Sequence, residues 1–342
     1  QAISAFETLV EIDADNPDYL DGLASSRVEL ASALRSTGDL SGQLEAYDKA
    51  IADYEVLVEA LPDVPRYRFN FAVARTNLGQ ILHRMGQNPT AKEQLIGALT
   101  DLVELTTNYP QVLRYLEQEA NSGTTLANVL SDLDETELAL NWYDRVNGHY
   151  EGLAEEGLPR YREGLAICRS NYAQLLNRLE DAENAKALFE AAITELTKLH
   201  EAEPDDVFYT NGLAEVWEHF GRFLVDGGAT ADGEAAWGKS IALRSSIGSD
   251  PDSHAADYVH RYARSLISSP FEKQRDASLA ANLATAIRDG HEEHAEYWST
   301  LGAALLRQKK FEESAEALSQ ARLRRIQPHA RDSFFLSMVY QS

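Results

Sequence analysis

A proline followed within several residues by a tyrosine recurs along the chain, at Pro62 and Tyr67, Pro110 and Tyr115, Pro159 and Tyr161, Pro204 and Tyr209, and Pro251 and Tyr258. Pro17 with Tyr19 opens the series, and from there the tyrosines return at an almost constant interval of about 48 residues. A period of this size restricts the chain to architectures that grow by stacking one supersecondary unit on the next. In the same register whole columns agree. One reads Ala24, Ala72, Ala120, Ala166, Ala214; seven residues on stands Ala31, Gly79, Ala127, Ala173, Gly221; three further comes Leu34, Leu82, Leu130, Leu176, Leu224. A later column is large and mostly aromatic: Tyr47, Leu95, Tyr143, Phe189, Trp237.

Within a repeat the apolar and small residues fall at steps of three, four and seven, as in Leu23, Ala24, Leu30, Ala31 and Leu34, which is one stripe of an amphipathic helix. No segment sustains strand alternation. Gly38, Gly86 and the pair Gly227-Gly228 are expected to end first helices, and the recurring prolines to end second helices. Each repeat is therefore helix, turn, helix, turn. The register divides a single 1–342 solenoid into 1–18 (partial), 19–66, 67–114, 115–160, 161–208, 209–257, 258–294, 295–330 and 331–342 (partial). Gln1 to Pro17 align with Gln94 to Pro110, so the chain is expected to open inside a second helix and to be an excerpt of a longer one. The closing run DSFFLSMVYQS reads as a first helix, with a terminal capping helix as the alternative.

The final full repeat carries Trp298, Leu301, Gly302 and Leu305, then Phe311, Ala315, Leu318 and Ala321, and closes at Pro328. This pattern resembles a tetratricopeptide repeat with its proline displaced by a couple of residues, and the earlier repeats resemble the same motif with longer helices. The run LPDVPRYRFNFAVARTNLGQILHRMGQ is similar to long repeats of planctomycete-type bacterial proteins, often C-terminal to a serine/threonine kinase domain. The resemblance implies an all-α, right-handed αα superhelix of about seven hairpins plus partial end helices. It implies a protein-binding scaffold, or else the regulatory region of a kinase whose catalytic domain lies elsewhere. A structural subunit of a larger assembly is a third reading. The chain departs from the family pattern at Asp134, which replaces a turn glycine, and at Arg27, Arg75 and Arg169, which stand where an aromatic is usual. The repeat beginning near Tyr258 is shortened, since the next tyrosine of the series is already reached at Tyr297.

Charge narrows the partners. Thirty-one basic and fifty-five acidic side chains give a net charge of −24, which repels nucleic acid phosphates and anionic headgroups over the surface as a whole. No apolar run approaches the roughly 18 residues that span a bilayer, so membrane insertion is not expected. The single Cys168 rules out an intrachain disulfide and a multi-cysteine zinc site, and permits a reducing compartment; the cytoplasm is the expectation.

Four local patterns could carry chemistry. Gly233 to Ser240 reads GEAAWGKS, a literal match to the phosphate-cradling loop G-x-x-x-x-G-K-[ST]. That loop needs a preceding buried strand, whereas here the register puts Ala235, Trp237 and Ile241 on the helical positions of Ala187, Phe189 and Ile193; the match is read as coincidence. His291 and His294 lack further ligands for a metal, and Asp13 to Asp18 has a proline at the fifth position of what would be a calcium loop. Cys168 has no histidine placed to activate it and reads as a small buried hydrophobe. No catalytic residue, cofactor or metal is expected.

The resemblance implies that the first helices line a concave wall. Carried through the register, that wall includes the row Ser32, Gln80, Asn128, Gln174 and Arg222, with Arg35, His83, Ser131 and Asn177, then Ser36, Arg84, Asp132 and Arg178, beside it. The candidate partner-binding residues are Arg35, Gln80, His83, Arg84, Asn128, Gln174, Asn177, Arg178 and Arg222. Amides can pair with a peptide backbone and arginines can fork onto carboxylates. The expected partner is a protein or peptide, with an acidic or C-terminal carboxylate end favoured by the local positive strip of Arg35, His83, Arg84 and Arg178.

Overall fold

The computed structural model describes residues 1–247, 256–325 and 330–341. Pro251 and Pro328 lie outside the described residues. Among the described residues sixteen α-helices follow one another and there is no strand. A helix α1 (Ala2–Ile12) precedes seven hairpins: α2 (Pro17–Thr37) with α3 (Leu40–Ala60), α4 (Pro65–Arg84) with α5 (Asn88–Asn108), α6 (Leu113–Asp132) with α7 (Thr136–Glu155), and α8 (Pro159–Arg178) with α9 (Ala182–Ala202). The series continues with α10 (Val207–Asp226) and α11 (Thr230–Ser246), α12 (Ala256–Ser268) and α13 (Ala277–Gly290), and α14 (Ala295–Arg307) and α15 (Phe311–Leu323), before α16 (Ala330–Gln341). A short 3-10 turn, Glu272–Gln274, lies between α12 and α13.

The leucine column has a backbone role as well as a packing one. The carbonyls of Leu82, Leu130, Leu176, Leu224 and Leu305 accept the N–H of Gln87, Glu135, Asp181, Ala229 and Lys310, five residues on, at 2.8–3.0 Å. This is the outer bond of a Schellman turn, which satisfies carbonyls that the helix end would leave open. The motif needs one residue in the left-handed region. Gly86 and Gly228 supply it at φ 76° and 84°, while Asp134, Glu180 and Lys309 adopt it at 58°, 63° and 61°. The departure at Asp134 is therefore a glycine turn made without glycine.

The prolines divide between two roles. Pro62, Pro110 and Pro204 sit in the turns just after second helices, as expected of residues that stop a helix. Pro17 and Pro159 instead are the first residues of α2 and α8, as Pro65 is of α4, and so open first helices. Proline lacks an N–H, and the first turn of a helix is where none is needed.

Packing divides the chain into two compact units, residues 1–35 with 40–175, and 36–39 with 176–342. In the first, α3 packs on α4, α4 on α5, α5 on α6 and α6 on α7, and α4 also touches α6. In the second the same order runs from α9 to α16, with α12 against α14 and α14 against α16. At these places a first helix neighbours the next first helix. Small residues permit the packing: a Cβ on Gly79 would lie 2.8 Å from Leu95 Cγ, and one on Gly302 2.6 Å from Leu318 Cγ. The column Ala24, Ala72, Ala120, Ala166 and Ala214 is fully buried.

The GEAAWGKS run lies inside α11. Gly233 marks a close crossing with α10, where an added Cβ would stand 2.9 Å from the Gly221 carbonyl oxygen. Lys239 lies over the Trp217 ring, 3.9 Å from its centroid. With no loop there to aim N–H groups at a phosphate, the run serves helix packing.

Candidate functional site

Two of the arginines that replace the usual aromatic, Arg27 and Arg169, are halves of ion pairs. Arg27 on α2 bonds Asp53 on α3 of the same hairpin. At the same interval Arg75 faces Asp101, whose carboxyl is raised by burial while Arg75 pulls the other way. In repeats three and five a first-helix acid takes a second-helix arginine instead, at other positions of the register: Glu119 on α6 is held by Arg145 on α7 at 2.5 and 2.9 Å, and Glu218 on α10 by Arg244 on α11. Glu119 is buried and accepts a further bond from the Thr106 hydroxyl at 2.6 Å. Repeat four differs, with Arg169 reaching Glu151 and Asn147 on the preceding helix.

A second system joins the two helices of a hairpin through the polar row. In repeat one the hydroxyls of Ser25 and Ser32 lie 3.0 and 3.4 Å from those of Tyr54 and Tyr47. In repeat three the equivalent tyrosines, Tyr150 and Tyr143, donate to the carboxamide oxygens of Asn121 and Asn128. Burial pushes the Tyr54 hydroxyl up to about 12 and raises that of Tyr150, so both remain protonated donors. In repeats two and four the tyrosine positions are Leu95 with Leu102 and Phe189 with Leu196, and the matching first-helix positions in the sequence are Val73 with Gln80 and Ile167 with Gln174. Hydroxyl-bearing and hydrocarbon repeats therefore alternate. The signal was present in the aromatic column, as Tyr, Leu, Tyr, Phe, and is visible only when that column is set beside the polar row of the preceding helix.

The expected wall residues have these places. In the first unit Arg35 and Arg84 are exposed, and Gln80 is exposed with its amide 3.4 Å from the Thr125 hydroxyl. His83 is half-buried, with Nδ1 3.0 Å from Asn88 Oδ1 and 3.8 Å from Asp132 on α6. Asn128 has its oxygen taken by Tyr143, and Gln174 approaches the Ser170 carbonyl and Asn171 at 3.5 Å. In the second unit Asn177 is half-buried, Arg178 is exposed, and Arg222 is exposed, 3.8 Å from Glu218 and over the Trp237 ring at 5.9 Å. Gln80 and His83 are thus brought to α6, where Thr76 also meets Ser122 at 2.7 Å. Asp132 and Glu218 lower the local positive charge that the row had suggested.

A recurrent Arg-Tyr pair at the start of first helices was missed in the sequence. Arg66, Arg114 and Arg160 each lie over the following tyrosine ring at 4.6–5.1 Å and donate to its hydroxyl. Arg66 then reaches back to Asp18 and Asp21 on α2, and Arg160 to Glu117 on α6. The short Arg-Tyr motif was legible; its acidic partner, one repeat upstream, was not. Cys168 is fully buried, and burial pushes its thiol up to about 12, which suits a packed hydrophobe. Among the described residues no group of three or more His, Cys, Asp or Glu is arranged to hold a metal ion, and no helix is long and apolar enough to cross a membrane.

No family model and no curated protein matches the chain. Solved structures do. The apo form of RapI is similar over 88% of this chain and 98% of that one, at 14% identity and a TM-score of 0.50. A tetratricopeptide repeat protein from Parabacteroides merdae is 17% identical over 93% of this chain and 98% of its own, with a TM-score of 0.46. BtubC (BKLC) from P. vanneervenii is 15% identical over 85% and 94%, with a TM-score of 0.47. The likeness to RapI is one of fold, and with the consecutive packing of helices within each unit it gives an all-α, tetratricopeptide-like helical repeat.

Proposed function

We propose that the chain is a non-catalytic protein-interaction scaffold whose first helices receive a peptide or a partner surface. One observation carries the reading: on α6 the oxygens of Asn121 and Asn128 each accept a hydrogen bond from a tyrosine of α7, which fixes each carboxamide and leaves its NH₂ group to donate to whatever approaches. Two such donors seven residues apart on a helix are about 10 Å apart along its axis. Their orientation is fixed before binding, which lowers the entropy that a partner must overcome. Gln80, Arg84 and Arg35 would add amide and guanidinium contacts in the first unit, and Asn177, Arg178 and Arg222 in the second. The preferred ligand is a segment that presents carbonyl or carboxylate oxygens, including an acidic or C-terminal end.

The test is a library of peptides with free or blocked C-termini, titrated against the wild type and the double variant Gln80→Ala/Arg84→Ala. Both positions are exposed, so the fold and helical spectrum should be unchanged. Affinity is expected to fall at least about tenfold in the variant and to weaken as salt rises in the wild type. Equal affinity for the two proteins, with the peptide mapped to second helices, would refute the assignment.

A further inference from the structure

Repeat five breaks the pairing found in repeats one and three. At the positions of Tyr47 and Tyr143 it has Trp237, and at those of Ser32 and Asn128 it has Arg222. A serine hydroxyl or an asparagine carbonyl accepts a bond from the buried ring opposite. A guanidinium has no acceptor. The Trp237 side chain is 2% exposed, and its Nε1–H is buried with no hydrogen-bond partner. One turn along α11 the Ser240 hydroxyl is equally orphaned, at a position held by Ala50, Ala98, Val146 and Ala192 in the other repeats. The two orphans do not satisfy each other.

The neighbouring carboxylates are committed elsewhere. Glu218 takes Arg244 on one oxygen and lies 3.8 Å from Arg222 on the other, and Glu215 takes Arg261 at 2.5 Å. Among the described residues the site thus combines a buried N–H and a buried hydroxyl, each without a hydrogen-bond partner, with a guanidinium beside the indole ring. The large majority of buried polar groups in folded proteins are satisfied, and an external oxygen would satisfy two orphans one turn apart beside a guanidinium. Arg222 is the exposed member, its guanidinium 5.9 Å from the centroid of the Trp237 ring, and it brings the charge of the site to the surface. The positive charge of Arg222 selects an anionic oxygen over a neutral one.

We propose that Arg222 and Trp237, with Ser240 beside them, form a receptor for a single carboxylate, supplied by an acidic side chain of a protein partner or by a free small carboxylate. It goes beyond the scaffold reading and does not depend on the first-unit residues. The probes are sodium acetate and a blocked tripeptide carrying one glutamate, with its glutamine counterpart as control, all at fixed ionic strength. The readout is the indole N–H resonance of Trp237, assigned by its absence in Trp237→Phe. A saturable shift with both carboxylates is expected, and none with the glutamine peptide. Acetate binding as tightly as the tripeptide points to a free carboxylate; a tripeptide that binds much more tightly points to a partner side chain. Arg222→Asn rebuilds the acceptor of repeat three, so it should weaken the response at least about tenfold while raising the melting temperature. An indole resonance indifferent to both carboxylates, or one in contact with water alone, overturns the proposal. So does a response that survives Arg222→Asn unchanged. Loss of peptide binding in the Gln80/Arg84 variant bears only on the scaffold reading, and the two can fail separately.

Discussion

Phe189→Ala is expected to cost about 3–5 kcal/mol, the range for emptying a large buried aromatic site. Phe189 on α9 is fully buried, with ring centroids 5.7 Å from Phe220 and 5.5 Å from Phe223 on α10. Those two rings are themselves stacked at 5.8 Å, so neither can collapse into the void without leaving the other. Phe189→Leu should cost less than about 1.5 kcal/mol, because leucine already fills this position as Leu95 in repeat two. In a repeat protein the damage should stay near the site. Urea unfolding measures the loss, and amide exchange should show protection falling in α9 to α11 while α4 to α6 keep theirs. Equal loss from end to end would mean that the chain unfolds as one core.

Acid is expected to weaken the second unit through His260. This side chain on α12 is 8% exposed, its Nε2 lies 2.8 Å from the Thr300 hydroxyl, and its ring is 5.0 Å from that of Tyr297. Burial pushes the imidazole down to about 4; Glu296 and Asp257 pull it up, and Arg264 and Arg261 push it further down. The folded value is thus below the roughly 6.5 of an unfolded histidine, so the unfolded state takes the proton first. The stabilisation is present above about pH 6.5 and is lost as pH falls toward about 4. The full effect is about 3 kcal/mol, of which about 2 kcal/mol falls between pH 7 and pH 5. The difference in urea midpoint between those two pH values should be larger in the wild type than in His260→Gln. Identical pH profiles would show that His260 takes up its proton as readily in the fold as in the unfolded chain, and would refute the expectation.

The helical hairpins were legible because spacing alone specifies them: Leu23, Ala24, Ala31 and Leu34 share a stripe whatever they touch. The turns were legible where glycine marks them, and less so at Glu180 and Lys309, where the left-handed conformation is imposed by the Schellman bonds of Leu176 and Leu305. Pro17 and Pro159 were placed on the wrong side of the turn, since a proline that satisfies the rules for a helix stop also satisfies those for a helix start. The ion pairs escaped because charge at Arg27 or Glu119 says nothing of a partner on the next helix, and because the pairs of repeats three and five stand at other register positions than Arg27. The polar row was found, but its division of labour was not. Asn128 looks like Gln80 in sequence; only the ring behind it, Tyr143 or Leu95, decides whether its oxygen is already spoken for.

The alternation of hydroxyl-bearing and hydrocarbon repeats bears on how such a chain lengthens. Repeats two and four share Arg66-Tyr67-Arg68 with Arg160-Tyr161-Arg162, and also Arg75, Asn77, Gln80, Arg84 and Lys92 with Arg169, Asn171, Gln174, Arg178 and Lys186. Repeat three, which stands between them, has Gly123, Thr125, Asn128, Asp132 and Thr136-Glu137-Leu138-Ala139 across the same stretch. The alternation of Tyr47, Leu95, Tyr143 and Phe189 thus runs in pairs of hairpins, although Arg27 of repeat one shares the position of Arg75 and Arg169. It also sets a rule for shortening: excising residues 67–160 joins an odd repeat to an even one, a seam the molecule already contains, whereas excising 67–114 sets two odd repeats side by side.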